Sequence, residues 1–592
     1  MSQSESNFRD AISSSNLSIS SGTAPRVKAH KSAHRGNKTT PGGKRLYKIA
    51  FTIHKWTGIL AAVWLAVLGF TGFFLTQDSK RGLQQTILPS ILTNKALQLN
   101  AQRSSMRFWQ VDPHNSAYQL TGGSRGLWWS SDGAAHWGRT SFDVSDTPQI
   151  QAIEPDPMLG WERIWIGTDD GIFSSHDKGL TAQQVALDGQ SVTSIVVGSN
   201  PDEMLGVIDR NNIFHFNTNN PGAIRSITIS PLDELSQPKE TRLHKYLRSL
   251  HFGRGLFDTY ISRLINQFGA VAMFMLCITG LLYWGLPKIW MARNKAGKST
   301  DPHLKRQTIV WLFRFHGATF GIISTPIILY LAITGVIIGH DKELGWWMRG
   351  TRIKNEYFTP ALKLSSWEGR IDAVIAYPGV PESFSIGNHF GLFTTIDNGK
   401  TWAREDDAKG EPIGGASRMR RFGNRVFIMA GMGNTAISRD DDFTFKTYGI
   451  PDQNPMGMRH MMPIERADTE MRMPRNHQPQ EHEHMVPNHL NVDMSKMMEM
   501  RFMPQDVTVI NGEFYWKSGD KLFTSGIDGT QPMPTSMIGP EIQGVPLWMW
   551  YRQIHTGIMF WSEWRWVNDL FGISAVFLVI TGVISWWRQK WI

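Results

Sequence analysis

The chain has one cysteine in 592 residues, Cys277, and that residue lies inside an apolar run. No intrachain disulfide framework is open to it, which is ordinary for a bacterial exported domain and silent about redox chemistry. No G-x-G-x-x-G follows a strand pattern and no P-loop occurs, so no flavin, nicotinamide or nucleotide domain is expected. No H-E-x-x-H zinc motif is present; the string EHEHM at 481–485 lacks its spacing. No carboxylate pair or arginine cluster is tied to a sugar site.

Four apolar runs are present, at 49–75, 264–286, 308–338 and 569–587. Each supplies the roughly 20 residues that a helix needs to cross about 30 Å of hydrocarbon. Two long polar stretches, 78–245 and 342–548, separate them. The first run starts too late and runs too long for a cleaved signal peptide, so it is expected to stay as an anchor. The basic tail 1–48, the loop 287–307 and the end after Trp587 together hold seventeen Lys/Arg against three acids, while the whole chain nets only +10. Short Lys/Arg-rich loops stay in the cytoplasm. Both termini and the middle loop are therefore expected inside, and both polar stretches in the periplasm of a multi-pass inner-membrane protein. The net positive charge reflects this topology, and nucleic acid is not an expected partner; the lipid bilayer is.

The chain reads as one unit written twice. The frame R-x-[IL]-H-x-G occurs at Arg248, Leu250, His251, Gly253 and again at Arg552, Ile554, His555, Gly557. Each copy lies in an interfacial segment, 246–263 or 549–568, that leads into an apolar run. Every run carries a Thr-Gly pair: Thr71-Gly72, Thr279-Gly280, Thr334-Gly335 and Thr581-Gly582. Such small residues are expected to let helices pack closely. The halves share one topology, so their natural axis is a pseudo-two-fold along the membrane normal.

The polar stretches repeat as well. GLWWSSDGAAHW (126–137), GIFSSHDKGLTA (171–182), GLFTTIDNGKTW (391–402) and a degenerate NTAISRDDDFTF (434–445) align on one pattern. The third matches the Asp-box of sialidase-like β-propeller proteins through Thr395, Asp397, Gly399 and Trp402. The box is a hairpin device: Asp and Gly close the turn and Trp packs beneath it. A scaffold role is expected, in small β-rich units or partial propellers. The expected fold class is an α-helical integral membrane protein of four transmembrane helices, with a two-fold internal repeat and two β-rich external domains containing Asp-box hairpins.

An ionisable residue within a span is costly and is a functional candidate by default. His54 and His316 occupy corresponding places in the inner halves of the first and third runs, and His251 and His555 correspond at the outer edge. Symmetric pairs facing one axis suit bis-imidazole ligation of two haems, an inner one on His54 and His316 and an outer one on His251 and His555. Hydrogen-bonded or snorkelling helix-end histidines are the structural alternative. The register is imperfect: Thr71 follows His54 by seventeen residues, but Thr334 follows His316 by eighteen. His340, at the outer end of the third run, is a substitute candidate for an outer ligand.

The strings HKWTGILAAVWLAVLGFTG and IHTGIMF…WVNDLFGISAVFLVITGVISWW resemble the PepSY-associated transmembrane proteins, also called iron-regulated membrane proteins. That resemblance implies a haem-containing reductase of ferric siderophores; it covers the spans and their flanking histidines, and not the external stretches.

Residues 456–503 hold twelve of the 27 methionines and five histidines. Thioether sulfur suits Cu(I) and imidazole suits Cu(II). Met456, Met458, His460, Met461, Met462, Met471, Met473, His477, His482, His484, Met485, His489, Met494, Met497 and Met498 are the candidate copper ligands, against the alternative of a polar loop whose methionines touch membrane or partner. The leading functional expectation is a haem b oxidoreductase that takes electrons from a cytoplasmic reductase or quinol and reduces a periplasmic ferric siderophore or cupric ion. The alternative is a non-enzymatic metal-uptake or sensing protein with propeller-like binding domains. The charge asymmetry yields a first prediction: an enzymatic reporter fused near residue 200 or 420 is active only outside the cytoplasm, and cytoplasmic activity refutes the orientation.

Overall fold

The computed structural model describes residues 41–589 apart from 449–504 and short stretches at 78–80, 234–236, 258, 299–300, 342, 365, 407–412, 414, 423–424, 431–433, 440–444, 526–532 and 562. The Met/His candidates of 456–498 therefore lie outside the described residues. Among the described residues, four helices are long and apolar enough to cross a membrane: Tyr47–Leu75, Tyr260–Lys295, Pro302–Gly339 and Arg565–Trp587. They belong to α1 (Pro41–Leu75), α3 (Thr259–Lys295), the pair α4 (Pro302–Phe313) and α5 (Phe320–Gly339), and α7 (Arg565–Gln589). Two shorter helices, α2 (Leu243–His251) and α6 (Leu547–Thr556), precede α3 and α7. The second span runs further than the apolar pattern indicates, so much of the expected loop 287–307 is helical. Leu60, Val63, Leu570 and Phe577 point outward and exposed, as lipid-facing side chains do. Between helices the contacts are made by small residues: a Cβ on Gly69 would meet the Ala270 carbonyl at 2.7 Å, and one on Gly269 would meet Ile327 at 2.5 Å.

The polar stretches are β-rich, as their patterning predicts, and they combine. Each half supplies three sheets led by β1 (Phe108–Val111), β2 (Ile150–Asp156) and β3 (Val192–Val197) in the first half, and by β4 (Ala373–Ala376), β5 (Arg418–Phe422) and β6 (Asp506–Ile510) in the second; all their pairings are antiparallel except that of the short edge strand Ser141–Phe142 with Thr181–Ala186. The six lead strands touch in sequence and β6 returns to β1. This closed ring is a six-bladed β-propeller. Every seam has its own apolar cluster. Between blades three and four, Val196, Leu205 and Ile213 pack with Val374, Phe393 and Trp402. Between blades six and one, Ile510 and Leu522 pack with Trp109 and Val111. These two seams join the halves.

The Asp-boxes are turn locks. In each of the three described in full, the Ser or Thr hydroxyl (Ser130, Ser175, Thr395) donates to the box aspartate two residues on, and accepts a backbone N–H from two residues further. Asp177 and Asp397 also accept from the Thr181 and Thr401 hydroxyls, both at 2.6 Å. The degenerate fourth stretch lies partly outside the described residues. Complete boxes stand in blades one, two and four, and the degenerate stretch in blade five, so the ring keeps the two-fold repeat of the bundle.

Near the ring axis, Arg420 of β5 donates to Asp506 of β6 at 3.1 Å and, on β2, to the Ile153 carbonyl at 2.8 Å and the Glu154 carboxylate at 2.6 Å. Asp506 also accepts the Trp109 N–H of β1 at 3.1 Å. One guanidinium and one carboxylate thus tie four lead strands from both halves. Removing one member of a buried, hydrogen-bonded charge set costs about 3–5 kcal/mol, because its partners stay buried and unpaired. Arg420→Met is expected to destabilise the propeller by that amount, read as a lowered tryptophan-fluorescence unfolding midpoint; an unchanged midpoint contradicts the role assigned to it.

Candidate functional site

His251 and His555 each occupy the last turn of a short helix, α2 and α6. Both helices start from a strand pairing between the halves. Glu240–Arg242 pairs with Arg352–Lys354, and Val545–Pro546 pairs with Ile87–Leu88. Both helices are followed by the frame glycine in the left-handed region, Gly253 at φ 68° and Gly557 at φ 75°. A side chain at Gly557 would run into Trp564 at 1.8 Å, so only glycine turns the chain back here. An asparagine on the next span holds each turn. Asn266 donates to the Leu250 and His251 carbonyls at 3.1 and 2.7 Å, and Asn568 donates to the His555 carbonyl at 3.0 Å. These asparagines recur in I-N-Q and V-N-D and were readable as a repeat, but nothing in the sequence showed what they bind.

The four Thr-Gly pairs do not serve mainly to bring helices together. Each seats one histidine. His54 Nδ1 lies 3.1 Å from Thr581 Oγ1, His316 Nδ1 3.0 Å from Thr279 Oγ1, His251 Nδ1 3.1 Å from Thr334 Oγ1, and His555 Nδ1 2.9 Å from Thr71 Oγ1. The adjacent glycine faces the same ring: a Cβ would stand 3.3, 3.1, 3.0 and 3.3 Å from Cε1 of His54, His316, His251 and His555. Every histidine is seated by the opposite half of the chain.

The hydroxyls settle the tautomer. Thr71, Thr279, Thr334 and Thr581 each donate their single proton to the carbonyl four residues back, at 2.7–2.8 Å. Their oxygens can then only accept, so the imidazoles donate from Nδ1. The carbonyl three residues before each threonine shares that proton, at 3.1 Å for Leu578 beside His54 and through Leu331, Leu276 and Leu68 for the others. The lone pair of each neutral ring is left on Nε2, the arrangement that metal-ligating histidines use to fix tautomer and orientation. Burial holds His251 and His555 well below the ordinary imidazole range, to about 4, with His555 adding to the effect on His251. Both are neutral at physiological pH.

The inner pair is brought together. The His54 and His316 ring centroids are 6.2 Å apart with planes at 83°. The one-residue register difference disappears in a π-helix, Arg314–Thr319, which holds His316 and takes up the extra residue of the second half. His340 is elsewhere. Its Nε2 bonds the Asp569 carboxylate, its Nδ1 lies 3.3 Å from Glu343, and Trp566 packs on its ring. Both ring nitrogens are engaged, so His340 is not a substitute outer ligand.

Two imidazoles on one iron, each at about 2 Å, place their ring centroids roughly 6 Å apart. The His54–His316 spacing fits that requirement. Among the described residues no group of three or more His, Cys, Asp or Glu side chains could hold a bare metal ion. A two-imidazole site suits a metal whose other four donors come from a macrocycle. The residues present therefore fit a haem.

A model of the PepSY-associated TM region matches residues 51–589, and the chain belongs to that family. No curated protein matches it. Among solved structures it is similar to an ancestral GH74 enzyme, at 9% identity over 58% of this chain and 31% of that one, with a TM-score of 0.28. The chain thus spans about a third of that enzyme's length. It is also similar to the Cps50 (Swd1) β-propeller domain of Myceliophteria thermophila, at 8% identity, 74% and 87% coverage and a TM-score of 0.31. YCF48 from Cyanidioschyzon merolae aligns at 10% identity, 59% and 85% coverage and a TM-score of 0.24.

The tautomer argument is open to direct measurement. In the haem-free protein with 15N-labelled histidine, His54, His251, His316 and His555 are expected to be neutral and protonated on Nδ1, and Thr581→Val is expected to shift His54 alone. Protonation on Nε2 at these four sites refutes the seat as described.

Proposed function

We propose that this PepSY-associated membrane protein is a haem b oxidoreductase that passes electrons across the bilayer and reduces a metal complex on its outer side. The observation that carries the reading is the histidine seat repeated four times, with one pair at the spacing of a shared iron. His54 and His316 would hold the inner haem, and His251 and His555 the outer. A haem bound at each pair supplies a one-electron carrier whose potential follows axial ligation, hydrogen bonding and burial. The threonines keep Nε2 free and raise the basicity of the ring through Nδ1–H, which favours the ferric state. The glycines let each ring lie against its helix.

The inside-positive charge pattern supports a periplasmic propeller and an inner-membrane location. The donor in this reading is a separate cytoplasmic reductase or membrane quinol. A ferric chelate is the favoured substrate; cupric ion is the alternative that the Met/His tract suggests.

Purified protein is expected to carry two haems per chain with low-spin b-type spectra. His54→Ala and His316→Ala are expected to remove or convert to high spin the same low-temperature spectral component, and His251→Ala and His555→Ala the other. If the two inner variants affect different components, the pairing is wrong. Four variants with undiminished low-spin haem refute the ligand set.

A further inference from the structure

Thr334 and Thr71 hold the rings of the outer histidines, and a second set of bonds reaches the main chain of the same residues. Asn266 is buried on α3, and its amide is fully used. Its Nδ2 donates to the Leu250 and His251 carbonyls, and its Oδ1 accepts from the Tyr330 hydroxyl of α5. Asn568 of α7 repeats the arrangement. Its Nδ2 donates to the His555 carbonyl at 3.0 Å, and its Oδ1 accepts from Trp64 Nε1 of α1 at 2.8 Å.

Tyr330 and Trp64 stand on the same helices as the seating threonines. Tyr330 precedes Thr334 by four residues and Trp64 precedes Thr71 by seven, so each aromatic shares a helix face with its threonine, one or two turns away. Helices α5 and α1 thus each hold the outer histidine of the opposite half at two points: the ring through threonine, the main chain through asparagine. The two donors do not occupy equivalent places. Counted from the Thr-Gly pairs, the counterpart of Tyr330 is Val67 and that of Trp64 is Ile327, and neither side chain can donate a hydrogen bond. The larger indole reaches its asparagine from one turn farther along, packed against Trp564 of the His555 turn at 5.3 Å. The copies differ in position and residue type and agree in the bond they make. Simple helix pairing does not require both bonds to end on the asparagine that holds a histidine turn.

One hydrogen bond at Nδ1 leaves an imidazole free to pivot about it. Fixing the main chain of the same residue removes that freedom and sets the plane in which Nε2 is presented. We propose that Tyr330 and Trp64 are positioning residues for the outer haem, fixing the ring planes of His251 and His555 through Asn266 and Asn568. The inference rests on the haem reading for its purpose and on these hydrogen bonds for its location.

Tyr330→Phe and Trp64→Phe each remove one donor and keep an aromatic ring in place. The purified full-length variants are measured in two ways. Electron paramagnetic resonance of the oxidised protein reads the ligand planes. Both variants are expected to shift and broaden the low-spin component that His251→Ala removes, and to leave the His54–His316 component unchanged. Trp64 lies ten residues from His54 on α1, so a general loosening of that helix would move the inner component as well. Main-chain hydrogen exchange reads the hold without reference to haem. The Phe252 and Gly253 N–H groups are bonded to the Arg248 and Leu250 carbonyls at 2.9 and 3.1 Å, and in Tyr330→Phe they are expected to exchange about ten-fold faster. The Gly557 N–H, bonded to the Ile554 carbonyl at 3.0 Å, is expected to respond in the same way in Trp64→Phe. Each variant is expected to leave the other turn unchanged. An outer component that keeps its signal in both variants overturns the proposal, and so does a shift of the inner component or unchanged exchange at both turns. Faster exchange in protein that carries no haem contradicts the haem reading and upholds the two-point hold.

Discussion

The hydrogen bond from histidine Nδ1 to a threonine oxygen is the constraint on which the membrane half of the molecule depends. Each threonine gives its own proton to its helix and so must accept from the ring. Each glycine beside it leaves out the side chain that would crowd that ring. Because every threonine belongs to the half opposite its histidine, neither half completes a seat alone. The duplication is therefore part of the site: each copy seats the histidines of the other, and the His54 and His316 rings come within 6.2 Å of one another.

The propeller obeys the same rule. Each half contributes three blades, so the six-membered ring admits the two-fold of the four-helix bundle. Closure is enforced at seams that join the halves, by Trp402 and Phe393 against blade three and by Trp109 against blade six. Arg420 and Asp506 add a charged tie near the axis. The short strands that pair Glu240–Arg242 with Arg352–Lys354 and Val545–Pro546 with Ile87–Leu88 fix where α2 and α6 begin. The closed ring thereby sets the entry of the two outer histidines.

Much of this was legible in the residues. Apolar length gave the four spans, because crossing a bilayer imposes a minimum run. The frame around His251 and His555 marked both turn helices, since only glycine follows such a turn in the left-handed region. The Asp-boxes marked blade hairpins. What escaped is what depends on long-range contact. Thr581 is 527 positions from His54, and no local pattern says that a Thr-Gly pair faces an imidazole and not a helix. The seventeen-against-eighteen spacing looked like a defect, and only backbone conformation shows it as a π-turn around His316. His340 had the composition of a ligand, but its Asp569 partner lies on another helix.

The central claim is that paired, Nδ1-protonated histidines hold b-type haem between the halves. Electron paramagnetic resonance of the oxidised, purified protein tests it most directly, because the signal reports both axial ligands and their mutual orientation. The His54 and His316 planes stand at 83°, so a strongly anisotropic low-spin ferric signal of near-perpendicular bis-imidazole haem is expected. A protein that shows no ferric haem signal, or only the axial high-spin signal of a haem with one protein ligand, contradicts the account.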